Sequence, residues 1–184
     1  MSSDNQYYIN RLVLLYKGDP FELDPLKVLR KHFEPVDRAV IQQHFRKICE
    51  AALSKEYREI SKRPANTVFF IERIEILLEI GLLLKLAKKQ QKRTKNDSKR
   101  RKNLEKWLEY PLTLSLDEML NPSRILEECF HYKEIAEWKN ALHDWMEASL
   151  SNHSIIEVIE PSESLTFVHH GSRMIDAMFV LIDS

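Results

Sequence analysis

The sequence predicts a mainly α protein, a single-domain bundle of five or six helices. Three observations predict it. Glycine is scarce, 3 in 184 residues, against roughly 7% in an average protein. That is too few for the tight turns of hairpin-rich β folds. Two proline-marked helix starts, Asp24-Pro25 and Asn121-Pro122, precede stretches with apolar residues at helical spacing. Between them, Val68 to Leu86 is apolar on most sides, the mark of a helix at the centre of a bundle. With 43% hydrophobic and 30% charged residues, the chain is not disordered throughout.

In chain order, Ile9 to Tyr16 fits either a strand or a helix. Asp24 is an N-cap residue, and proline at the first helical position loses nothing by lacking its N–H. Leu26, Leu29 and Phe33 follow on one face. Glu34-Pro35 ends this helix, because the residue before proline is pushed out of the α region. A second helix runs from about Pro35 to Ser61, with Val36, Val40, Phe45, Ile48, Cys49, Ala52 and Leu53 inward. Residues 62–66 break the pattern, and Asn66 or Thr67 caps the central helix. On that helix Glu72, Glu75 and Glu79 fall on one line. They read as its solvent face, or as partners for lysines of a neighbouring helix.

Residues 88–103 hold no apolar side chain and cannot pack as core. They form a basic loop, or a helix projecting past the body. Asn96, Asp97 and Ser98 can cap a further helix holding Leu104, Trp107 and Leu108, ended before Pro111. Ser115 and Glu118 have capping-box spacing for a short helix through Leu120. Asn121-Pro122 then opens one long helix to about Leu150, with Ile125, Phe130, Ile135, Trp138, Leu142 and Trp145 inward. Residues 152–184 form a small C-terminal appendage whose strand or helix character the pattern leaves open. Ser154 to Glu160 and Leu165 to His170 fit two short strands about a turn at Pro161. Met174 to Ile182 fits a closing helix or a third strand.

Charge separates two function classes from the rest. The chain carries 28 basic and 28 acidic residues, for a net charge of zero. From Lys85 to Lys102 it holds ten Lys/Arg against Asp97 alone, a local net of +9, so the remainder sums to −9. Lys88, Lys89, Lys92, Arg93, Lys95, Lys99, Arg100, Arg101 and Lys102 are the candidate anion-binding residues. Such a run can pair with phosphates, releasing counterions and making binding salt-dependent. It holds no aromatic side chain on which bases could stack. The expected partner is a protein or nucleic acid held through this segment, and a homodimer is compatible with the pattern. The polar start, MSSDNQYYIN, does not read as a signal peptide. Five charges between Val68 and Ala87 make that stretch a poor membrane span. A cytoplasmic protein with no membrane contact is expected.

Enzyme frameworks are thinly represented. The phosphate-loop, dinucleotide-binding and nucleophile-elbow motifs are absent. Cys49 and Cys129 lack C-x-x-C spacing and read as reduced, packed thiols. Glu128-x-x-His131 is half of a di-iron helix motif that needs two copies, so no metal or other cofactor is expected. His169-His170 and His143-Asp144 are sequence neighbours that do not form a dyad.

Two arginine–histidine pairs, Arg38 with His44 and Arg124 with His131, have the R-x4–6-H spacing. The spacing is similar to the motif of the HEPN ribonucleases, which are also helical. The resemblance implies arginine and histidine acting on an RNA backbone at a dimer cleft. The residue after each arginine departs from the usual polar one, being Ala39 or Ile125. The sequence therefore reads as a non-enzymatic interaction or adaptor protein that holds an anionic partner. The alternative is a nucleic-acid-binding protein, in its sharpest form a HEPN-like ribonuclease.

Overall fold

The computed structural model describes residues 9–34, 36, 38–54, 64–88, 113–151 and 153–183. Within them lie eight α-helices and two short 3-10 turns, with no strand. The helices are α1 (Asn10–Tyr16), α2 (Pro25–Phe33), α3 (Arg38–Leu53), α4 (Pro64–Lys88), α5 (Leu116–Leu120), α6 (Pro122–Tyr132), α7 (Ile135–Leu150) and α8 (Pro161–Ile182). The turns are Pro20–Glu22 and Ile155–Glu157. The fold is mainly helical, as the glycine count and helix starts predict. None of these helices is long and apolar enough to cross a membrane.

Local signals place several of these helices. Asp24 accepts the backbone N–H groups of Leu26 (3.0 Å) and Lys27 (3.2 Å), ahead of proline at the first helical position of α2. Ser115 and Glu118 form the expected capping box of α5, with Ser115 N–H on the Glu118 carboxylate at 2.7 Å.

Four readings change. The helix expected to run to Ser61 ends at Leu53, where Ser54 turns out of it and donates to Ala51 O at 3.2 Å. The central helix begins at Pro64, inside the supposed break, because proline is a good first helical residue. The long helix of 121–150 is two. Lys133 is extended (φ −139°, ψ 142°), and α7 restarts behind a capping box of Glu134 and Glu137. A carboxylate in the capping position hid that boundary, since serine or threonine is its usual signal. Finally, the strands allowed within 154–182 are a 3-10 turn and α8. Pro161, expected to open a turn through Ser164, is the first residue of that helix.

The core explains why α8 is helical. Every residue from Gly171 to Ile182 is buried. A helix enclosed on all sides shows no amphipathic period, so its sequence resembles a buried strand. Far from being peripheral, the segment packs against α2, α3 and α6. Its close approach to α3 depends on Gly171, where a Cβ would stand 2.5 Å from Phe45 Cζ. The predicted central helix, α4, is buried as well, with Leu77, Leu78 and Ile80 fully enclosed. α4 packs against α2, α6 and α7. Trp138 and Trp145 of α7 are core residues on either side of Phe167, and Trp145 stacks on that ring at 4.9 Å. The Trp138 indole N–H donates to Cys129 O at 3.0 Å.

Candidate anion-binding site

The basic segment leaves the described body at the end of α4. Lys88 is the last residue of that helix. Lys89, Lys92, Arg93, Lys95, Lys99, Arg100, Arg101 and Lys102 lie outside the described residues, as does the helix expected around Trp107. One turn before the exit, Lys85 sits over the Phe130 ring, its Nζ 5.5 Å from the centroid. Lys85, Arg124, Glu127, Glu128, Phe130 and His131 line an open surface cleft of about 450 Å³ between α4 and α6. Its walls are of mixed charge. Arg124 Nε donates to Glu128 at 2.9 Å, and Arg173 donates to the same carboxylate at 3.0 Å.

The two arginine–histidine pairs have different fates. Arg124 and His131, seven residues apart on α6, share this cleft. Arg38 and His44 are committed to different partners. Arg38 donates to the buried Asp176 at 3.1 Å, whereas His44 stacks on Phe70 at 3.5 Å and engages Val40 O of its own helix at 2.8 Å.

The interior carries charge for which the sequence left two alternatives, a solvent face or pairing with a neighbouring helix's lysines. Glu75 and Glu79 of α4 are 3% and 0% exposed. Their line is therefore no solvent face, and the alternative of ion pairing holds instead. Glu79 accepts the backbone N–H groups of Arg11 (3.0 Å) and Leu12 (2.8 Å) and pairs with Lys139 of α7. Glu75 accepts from Arg11 Nε at 2.7 Å and faces His143 Nε2 at 2.9 Å. The half-exposed Glu72 accepts from Arg11 Nη1 at 3.0 Å. Burial disfavours the Arg11 charge, but Glu75 and Glu72 outweigh it and raise its pKa. With cations already seated on these carboxylates, they are not an open ligand set.

Asp176, missed in the sequence, is the third buried acid and centres a second group. Its carboxylate is 1% exposed and accepts from Arg38, from Gln42 Nε2 (2.9 Å) and from both the N–H and hydroxyl of Thr113 (2.7 and 2.8 Å). The available signal was a lone acid within an apolar stretch, which folds only if paired. A third group lies at Arg173, which bridges Glu118 and Glu128. Burial raises the Glu118 pKa, but bonds from Ser115 and Arg173 overcome it, so the carboxyl lies below its ordinary value.

No nucleophile emerges from this arrangement. Cys49 and Cys129 are buried and unbridged. Burial raises both thiols, Cys129 to about 12, so neither is a thiolate near neutral pH. His169 and His170 are on a helix, with His170 stacked on Tyr132 at 4.6 Å. Among the described residues no three His, Cys, Asp or Glu side chains gather at metal-binding distance. Glu128, half of the di-iron pattern, is bound by two arginines. The class defined here is a mainly helical protein with paired internal charge. No protein-family model, curated protein or solved structure matches the chain.

Proposed function

We propose that this chain is a non-enzymatic interaction protein that holds an anionic partner through the basic segment following α4. One observation carries the reading: positive charge is concentrated at one place in a neutral molecule. Residues 85–102 carry a net +9, while residues 115–163 hold eleven acids against three bases. Inside the body, Glu75, Glu79 and Asp176 already hold Arg11, Lys139 and Arg38, and thus have their own counter-charges. A cation-rich segment without aromatic rings suits backbone phosphates or an acidic protein face better than base recognition.

The test compares the full-length protein with a variant carrying Lys99→Gln, Arg100→Gln, Arg101→Gln and Lys102→Gln. Gel shifts with RNA, DNA and an acidic protein identify the anion. The variant is expected to lose binding. Unchanged affinity would remove the segment from the account.

A second reading rests on Arg124 and His131 sharing the cleft beside the segment's exit. In a ribonuclease, arginine would stabilise developing phosphate charge and histidine would exchange the proton. That reading expects RNA cleavage that disappears in His131→Ala with folding intact. It also expects a dimer, which a solution mass measurement checks. Absence of cleavage of single- and double-stranded RNA counts against it.

A further inference from the structure

We propose that α1 is a releasable strap, latched to the bundle by the Glu79 carboxylate, and that it opens while the rest of the fold stays closed. A helix of seven residues has little stability of its own. Its N-cap is Ile9, which has no side-chain oxygen to hold the first N–H groups. Glu79, from another helix, does that work by accepting the N–H groups of Arg11 and Leu12. Lys139 reinforces the latch by donating to both Glu79 and Asn10 Oδ1. Arg11 adds its bonds to Glu72 and Glu75. Folding of α1 is therefore conditional on docking.

Among the described residues its apolar anchorage is small. Ile9 and Leu12 are fully buried, whereas Val13, Leu14 and Leu15 are 37%, 70% and 49% exposed. Tyr16 adds a bond from its hydroxyl to His32 Nε2 at 3.0 Å. By contrast, α8 is buried continuously from Gly171 to Ile182. An element with so few buried contacts opens at lower cost than the core. The far end has a natural pivot: Lys17 adopts a left-handed conformation (φ 52°), followed by Gly18 and the Asp19-Pro20 turn. Opening removes Arg11 and uncovers Glu75 and Glu79, leaving an anionic slot on α4 beside Lys139 and His143 of α7.

Hydrogen exchange on the full-length protein tests this. In the unaltered chain, amides of 10–16 are expected to exchange roughly tenfold or more faster than those of 171–182, the signature of sub-global opening. Leu12→Ala, which weakens the strap and leaves the charges in place, should accelerate 10–16 further with α7 and α8 unchanged. Glu79→Gln should do the same, and if it fails to fold, Leu12→Ala decides alone. Exchange of 10–16 at the rate of α8, or equal acceleration of all helices in Leu12→Ala, would overturn the strap. Carbodiimide coupling of an amine to Glu79 should rise in Leu12→Ala, and no rise would overturn the uncovered slot.

Discussion

Helix α4 carries two kinds of charge about 9 Å apart along its axis, between Glu79 and Lys85. Up to Glu79 its acids turn inward and meet Arg11, Lys139 and His143. From Lys85 onward it leads into ten cations within 18 residues. The same helix thus has an interior end, where two buried acids are held by partners, and an exit end, from which the sequence turns basic. The difference teaches that charge content alone does not mark a surface. At the interior end the fold brings an opposite charge to each buried acid.

Four changes test how sharp that division is. The largest effect should come from Glu79→Ala, which strands Lys139 and two N–H groups of α1. Breaking a buried pair from one side costs about 3–5 kcal/mol. Denaturant unfolding should show that loss, and a change under 1 kcal/mol would mean the interior end is not different in kind. Asp176→Ala extends the question to α8, where Arg38, Gln42 and Thr113 would lose their acceptor, and a loss of about 3 kcal/mol is expected. Gly171→Ala asks the same of packing without charge. The new methyl meets Phe45, so about 1–3 kcal/mol should be lost. At the exposed side, Arg124→Ala removes an i,i+4 pair whose arginine is 70% exposed, and a loss under about 0.5 kcal/mol is expected.

Acid should destabilise the fold first through His32 of α2 and His170 of α8. Burial lowers the pKa of His32 and His170 below 6.5, aided by Arg73 beside His32 and by His169 and Arg173 beside His170. A histidine with a depressed folded value binds its proton more readily when unfolded. Its contribution is complete above about pH 6.5 and declines as pH falls below it. The depressed Glu118 acts in the same direction at lower pH. Its contribution is present above the ordinary carboxylate value of 4.5 and is lost as pH falls through its folded value. Thermal unfolding from pH 7 to 4 should show a steady fall in Tm, and His32→Asn with His170→Asn should flatten its upper part.

Much of this was legible where local chemistry sets local structure. Asp24-Pro25, Ser115 with Glu118, and Asn121-Pro122 each mark a helix start that the structure contains. The failures share a cause in tertiary context. α8 lost its period through burial on all sides, and Glu134 capped α7 with a residue that seldom does so. For Glu75 and Glu79 the choice between surface and ion pair stayed open, and Asp176 went unnoticed, because their partners lie 60 to 138 residues away in sequence. At the candidate site, the sequence names the basic residues, and the structure adds the neighbouring cleft of Lys85, Arg124 and His131.

The account turns on the exit end being available to an outside anion. The direct measurement is the affinity of the full-length protein for a single-stranded RNA, followed from 50 to 200 mM salt. If several phosphates are engaged, affinity should fall on the order of a hundredfold, with log K linear in log salt. Affinity independent of salt, or no binding to RNA, DNA or an acidic protein even at 50 mM, would contradict it.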